Sequence, residues 1–423
     1  MKIVILNGSP TSSPMEDYLL KLQSQLEEQG DQVANLTLRD WDLKYCTGCW
    51  GCWVKTPGLC QADAASQEMD RIIINADFVL WASPLKMGYL SERLKMALDK
   101  HLPLIHPYMD VVHGEAHHLK RYHKYPRVGL LLETIPLSDP EDVRLTTEIC
   151  TRTALNFKTA LYFSLTTEVS VSSLVEKIHQ THARPLPLPK TPAPTRGVSI
   201  PAPASLTLFN GSPRGPRGNS PIFLEQVAKG FGGDSKMFNL VNVKSTDDHI
   251  TAFREARCVL LAFPLYTDSM PGIVKHFIDA LEPLAGRPDN PPIGFIVQSG
   301  FPEGLHSRFV ERYLEKLAAR VGSPYLGTIV KGNGEGVRVM PPEMNLSLFE
   351  GLQSLGRDLA QGKPFDEAVL RSIAKPERFP GILWPVFKLF VRLPVAHGYF
   401  DRMLRDNGAY DHRYRKPFVE DQA

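Results

Sequence analysis

Short apolar runs recur along the chain, each followed by a longer stretch whose apolar positions return at helical spacing. Lys2–Leu6, Asp77–Trp81, Val128–Glu133 and Leu161–Leu165 form one series, and Leu206–Phe209, Cys258–Ala262, Ile293–Gln298 and Gly327–Lys331 form a second. These runs are apolar at consecutive rather than alternate positions. That pattern predicts strands buried on both faces of a parallel sheet, with helices packed above and below. Each series therefore predicts a doubly wound α/β domain, with a ligand crevice at the carboxyl ends of its strands.

The two series are copies. Ile3-Val4-Ile5-Leu6-Asn7-Gly8-Ser9-Pro10 returns as Leu206-Thr207-Leu208-Phe209-Asn210-Gly211-Ser212-Pro213, an offset of 203. Ala82-Ser83-Pro84-Leu85, running on to Lys95 and Asp99, returns as Ala262-Phe263-Pro264-Leu265, running on to Lys275 and Asp279, an offset of 180. The second copy is thus 23 residues shorter between the landmarks, and the stretch around Cys46–Cys60 is the part it lacks. Internal repetition on this scale reads as tandem duplication. The division expected is a first domain over 1–181, a linker over 182–204, a second domain over 205–365 and a C-terminal extension over 366–423. The linker carries seven prolines, which fix φ and remove donors, so it should be extended and semi-rigid. Phe379–Phe400 is rich in Trp, Phe, Leu and Pro but is interrupted by Lys388 and Arg392. It reads as an apolar strap on the two domains, with an in-plane membrane contact as the alternative.

Composition narrows the class. Of 423 residues, 48 Lys and Arg face 46 Asp and Glu, a net +2 that is too balanced for a nucleic-acid coat. No apolar run reaches transmembrane length, and Met1–Pro10 reads as strand and turn rather than a signal peptide. Four of six cysteines fall between positions 46 and 60, which argues for a metal or redox site in a reducing, cytoplasmic setting.

The second copy carries the clearest chemistry. Gly211-Ser212-Pro213-Arg214-Gly215-Pro216-Arg217-Gly218-Asn219-Ser220 joins a strand to a helix, so backbone N–H groups and the helix N-terminus would face one anion. Ser212, Asn219 and Ser220 can donate to it, and Arg214 can clamp a phosphate with two donors. This loop resembles that of the NADPH-dependent FMN reductase family of flavodoxin-like proteins, in which Gly-Ser-Pro-Arg is followed, after a short spacer, by Asn-Ser/Thr. Pro264-Leu265-Tyr266-Thr267-Asp268, with Lys275 on the helix behind, resembles the family's ring loop, and Ser299-Gly300 its third flavin loop. The resemblance implies two flavodoxin-like doubly wound parallel-sheet domains in tandem plus a C-terminal extension. It implies FMN in the second domain, reduced by NAD(P)H, with electrons passing to a small acceptor such as a quinone, a nitro compound or free flavin. Tyr266 and Asp268 are then expected to contact the ring. The flavin carries the chemistry, so no catalytic acid or base is named. Such reductases are often oligomers, which implies either a homo-oligomer or an internal pseudo-dimer of the two copies.

The first copy is a poorer anion site. Thr11 stands in place of the arginine, and Glu16-Asp17 stand in place of Asn219-Ser220, where carboxylates would repel a phosphate. Its ring loop, Pro84-Leu85-Lys86-Met87-Gly88-Tyr89, lacks the family's tyrosine at position 86. Cys46, Cys49, Cys52 and Cys60 suit zinc, a [4Fe-4S] cluster or metal-free thiols. Their spacing resembles both iron–sulfur flavoproteins and flavodoxin-family oxidoreductases in which a cluster is not fixed. Two alternatives to the reductase follow: an iron–sulfur flavoprotein electron carrier, and a non-catalytic flavodoxin-like binding module. The histidine-rich segment His101–His123 reads as a solvated polar lid, and Lys331–Gly336 as a loop beside the flavin crevice.

Overall fold

The computed structural model describes residues 1–419 and divides into two compact units, Met1–Pro189 with Pro380–Ala423, and Lys190–Phe379. In the first, strands β1 (Lys2–Asn7), β2 (Gln32–Thr37), β3 (Phe78–Lys86), β7 (Arg127–Glu133) and β8 (Leu161–Thr166) lie in the order β2-β1-β3-β7-β8, all parallel. A short β4 (Tyr89–Leu90) turns back on β3, and β5 (Ile105–Val112) pairs with β6 (Glu115–Lys120) as a separate hairpin. In the second unit β9 (Ser205–Asn210), β10 (Asp234–Asn239), β11 (Val259–Pro264), β12 (Ile293–Gln298) and β13 (Tyr325–Lys331) run β10-β9-β11-β12-β13, again all parallel. Both sheets follow the flavodoxin-like order 2-1-3-4-5. Apart from the partly exposed edge strand β8, the predicted strands are largely buried. The two edge strands that pattern missed, Gln32–Thr37 and Asp234–Asn239, are polar and partly exposed, so no apolar run marks them.

The duplication holds to the level of single bonds. The Gly8 amide donates to Ala82 at 2.8 Å, and the Gly211 amide to Ala262 at 2.7 Å. Asn7 Oδ1 accepts from the Ser9 amide at 3.0 Å, and Asn210 Oδ1 from the Ser212 amide at 3.0 Å. In each unit a buried lysine pairs with an aspartate one turn along its helix, Lys95 with Asp99 and Lys275 with Asp279. Glycine is required at the first turn: a Cβ on Gly8 would sit 2.7 Å from that of Leu94, and one on Gly211 would sit 2.4 Å from a Val274 methyl. The cysteine stretch accounts for most of the length difference. Residues 38–63 separate β2 from helix Ala64–Ile74 in the first unit, whereas residues 240–245 separate β10 from helix Thr246–Glu255 in the second.

The linker holds no helix or strand from 183 to 203, as proline content dictates. Its two halves go to different units: Leu186 donates to Leu161, while Val198 donates to Tyr325. The C-terminal extension also divides. Helix Glu367–Ile373 buries Ile373 in the core of the second unit, so that unit runs to Phe379 rather than ending at 365. From Pro380 to Val419 the chain packs on the first unit, where Leu404 and Phe400 join Trp53, Val54, Ile105 and Tyr108. Among the described residues, no helix is long and apolar enough to cross a membrane.

Candidate functional site

In the second unit, three loops leave the carboxyl ends of the adjacent strands β9, β11 and β12. Leu265 donates to the Gln298 carbonyl at 2.7 Å, and Gly334 to that of Ser299 at 2.7 Å, which ties the second and third loops to the segment after β13. The first loop folds tightly on itself. A Cβ on Gly218 would lie 1.9 Å from Ser212 Oγ, so only glycine lets the chain close over that serine. Ser212, Asn219 and Ser220 are buried, and Ser220 Oγ has no hydrogen-bond partner at the start of helix Ser220–Phe231. Asn219 precedes that helix without capping it, so its amide group is available to something else.

That something is a carboxylate. Glu335 places Oε1 3.2 Å from Arg214 Nη1, and its Oε2 accepts from Asn219 Nδ2 at 3.1 Å. Arg338 completes the contact, donating to the Gly218 carbonyl at 2.6 Å and to Asn219 Oδ1 at 3.3 Å. Two of the four residues expected to hold a phosphate are therefore already bound to an anion. The glutamate comes from the Gly-rich segment read in sequence as a loop beside the crevice. Nothing in its spacing singled it out, because the contact spans more than a hundred residues.

Pro264, Leu265, Tyr266 and Thr267 are partly exposed, whereas Asp268 is buried. Tyr266 and Ser269 exchange backbone bonds at 2.8 and 2.9 Å around a turn in which Thr267 and Asp268 hold φ of 44° and 60°. Left-handed backbone in non-glycine residues costs energy and clusters at ligand sites. Ser269 Oγ is buried without a partner. Gly300 has open space where a side chain would stand.

The first unit builds the same turn with opposite charge. Met15, on the first turn of helix Pro14–Glu28, donates its amide to Glu133 at 3.1 Å, so a carboxylate from the end of β7 occupies the helix N-terminus. Burial raises the Glu133 pKa, opposed by the bonds from Met15 and Ser13. Arg39 is the nearby cation, and Glu16 takes it at 2.5 Å. The ring loop closes into a hairpin, with Leu85 opposite Leu90 and both Met87 and Tyr89 buried.

The cysteines lie around helix Gly51–Val54 with all six thiols of the chain unbridged. Burial pushes Cys46 up to about 12 and Cys52 well above its ordinary value; Cys46, Cys60 and Cys49 add to the rise at Cys52. Lys100 Nζ stands 3.6 Å from Cys60 Sγ and 2.9 Å from Asp63. Burial works against that charge, but the Asp63 carboxylate and the thiols raise the lysine's pKa overall. Among the described residues, no three His, Cys, Asp or Glu side chains are placed to hold one metal ion.

The histidine-rich segment is not a solvated lid. It forms the β5–β6 hairpin, in which His106 and His117 are buried, and Arg121, just after β6, is buried too. His117 Nδ1 lies 2.6 Å from Asn156 Oδ1, and Arg152 pairs with Glu115 at 2.6 Å. Arg121 donates to the backbone carbonyls of Pro103, Arg413 and Arg415, so it fastens the C-terminal segment.

Strand order and crevice define a doubly wound flavodoxin-like α/β protein, built twice. Residues 1–113 match the model of the NADPH-dependent FMN reductase family, the family that the loops resemble. That match falls on the first unit. An iron-sulfur flavoprotein of Archaeoglobus fulgidus is 33% identical over 110 residues, 25% of this chain and 48% of its own length. Another, from Methanocaldococcus jannaschii, is 30% identical over 105 residues, 25% of this chain and 53% of its own. The chain spans about half the length of these curated relatives. Among solved structures, an azoreductase from Bacillus anthracis covers 37% of this chain and 99% of its own at 13% identity, with a TM-score of 0.30. The Trp repressor binding protein from Bacillus subtilis covers 36% and 96% at 17% identity, with a TM-score of 0.27.

Proposed function

We propose that the second unit binds FMN and that the protein is an NAD(P)H-dependent oxidoreductase delivering electrons to a small acceptor such as a quinone, a nitro compound or free flavin. One observation carries this reading: a carboxylate sits on Arg214 and Asn219 beside a helix N-terminus. Its oxygens stand in for those of a phosphomonoester, which needs the same donors. Ser212, Arg214, Asn219 and Ser220 would hold the phosphate, and Pro264, Leu265, Tyr266, Thr267, Ser299 and Gly300 would flank the ring. Asp268, being buried, would fix the turn that carries its neighbours. Bound flavin supplies hydride acceptance and electron release, while the chain supplies binding and orientation. The family match over residues 1–113 supports the same chemistry. The test is the flavin content and visible spectrum of the purified protein. Flavin bands lost in Arg214→Ala support the reading; a colourless protein that takes up no added FMN overturns it.

The clustering of four unbridged cysteines around helix Gly51–Val54 favours a second reading, an iron–sulfur relay, and the curated relatives carry that name. A four-iron cluster takes one thiolate per iron, so it spreads its ligands more widely than a single ion does. Cys46, Cys49, Cys52 and Cys60 would be those ligands, and Lys100 would offset part of their charge. Iron and acid-labile sulfide in anaerobically purified protein test it; their absence overturns it.

A further inference from the structure

The strap that begins at Pro380 has two unlike faces. Its inner face is fastened to the first unit. Val391 is buried, the Tyr108 ring stacks on His397 at 4.3 Å, and the Tyr108 hydroxyl donates to Asp401 at 2.6 Å. Phe400 packs edge-on against Trp50 and Trp53 at 5.5 and 5.9 Å, and a Cβ on Gly114 of the hairpin would touch Trp384.

The outer face has the composition of a core. Ile382 is 84% exposed, Val395 71%, Val386 65% and Leu389 64%, with Phe390 and Leu393 beside them. These residues occupy helix Trp384–Phe390, the turns flanking it and the first turn of helix Pro394–Asp406. Scattered apolar residues are ordinary on a surface, whereas a contiguous patch marks an interaction site. Lys388 and Arg392, both exposed, are the charged residues between Phe379 and Phe400, where no Asp or Glu occurs.

We propose that this strap is a membrane-surface anchor that seats the first unit on an anionic bilayer, with the apolar side chains in the acyl boundary and Lys388 and Arg392 at the lipid phosphates. Charge decides between occupants. A second copy joined by a twofold axis would set the same cations against themselves with no carboxylate in the patch to answer them. An anionic lipid surface supplies that answer, and long cationic side chains reach it while their stems stay in the apolar layer. The strap is anchored from within, so it presents this face without having to fold on arrival.

The test is sedimentation of the full chain with vesicles of phosphatidylcholine alone and of phosphatidylcholine with about one-third phosphatidylglycerol. Two cations predict about thirtyfold tighter binding to the anionic vesicles at low salt. Val386→Glu with Leu389→Glu should abolish binding at an unchanged melting temperature, since both side chains are exposed. Lys388→Glu with Arg392→Glu should remove the preference for anionic lipid. Failure of the wild-type chain to bind either vesicle overturns the proposal. So does a concentration-dependent dimer, seen without lipid, that the Val386→Glu and Leu389→Glu substitutions dissociate. Neither result depends on whether flavin is bound.

Discussion

The two units are the same scaffold with opposite signs at one place. Both pin the first turn with a glycine amide on an alanine carbonyl and an asparagine on a serine amide, at matching lengths. Where the next helix begins they part. The first unit sets Glu133 on the helix N-terminus and gives its nearby arginine, Arg39, to Glu16. The second sets Arg214 and Asn219 there and brings in Glu335 from the far end of the sheet. A carboxylate therefore reaches the anion position in both, but it caps a bare helix end in one and neutralises a cation in the other. The contrast teaches that duplication conserves what the backbone must do and frees what the ligand needs. The family match on the first unit and the phosphate site proposed for the second are consistent, because resemblance follows the scaffold while binding follows the charges.

Removing the cation breaks the comparison most directly. Arg214→Ala should weaken FMN binding by about 10- to 100-fold, the usual worth of a hydrogen bond to a charged group. Fluorescence titration with FMN and riboflavin checks it, and riboflavin, which lacks the phosphate, should be nearly unaffected. Equal losses for both flavins would mean that Arg214 supports the loop rather than the phosphate.

Acid should separate the units next. Burial, reinforced by Arg121, pushes His106 down to about 3, and burial does the same to His118 beneath Trp53. Between that value and about 6.5 the unfolded first unit binds protons that the folded one refuses. The stability these histidines contribute is complete above about pH 6.5 and is lost as pH falls toward 3. At pH 5 the loss is about 2 kcal/mol per histidine. In the second unit burial also lowers His249, but less. Calorimetry at pH 7.5 and 5 should show the first unit's transition falling further, and His106→Gln should narrow the gap. Transitions that fall in parallel would defeat this account.

The sheets were legible in the sequence because buried parallel strands leave continuous apolar runs, and the duplication because Asn-Gly-Ser-Pro recurs at a fixed turn. The polar edge strands left no such trace. The loop proposed to hold phosphate was legible as local chemistry: Ser212, Arg214, Asn219 and Ser220 are neighbours in the chain. Glu335 and Glu133 were not, since each reaches its partner across the sheet and only the folded strand order brings them together. The histidine segment misled for a related reason. Polar composition suggested solvent, but the side chains find Asn156 and the C-terminal backbone, partners 39 and about 290 residues away.

The smallest effect sharpens the comparison furthest. If Glu335 stands where a phosphate would, FMN must displace it, and its negative charge opposes entry. Glu335→Gln keeps the shape and the hydrogen bond to Asn219 but surrenders the charge, so FMN should bind several-fold tighter, about 1 kcal/mol, with riboflavin unchanged. Inorganic phosphate should also compete better with FMN in the variant. Glu133→Gln in the first unit removes a carboxylate from the matching helix end but leaves no cation behind, because Thr11 stands where Arg214 would be. It should therefore confer no FMN binding on an Arg214→Ala background. An increase there equal to that of Glu335→Gln would show that the first unit's loop is an anion site held shut rather than one that has lost its cation.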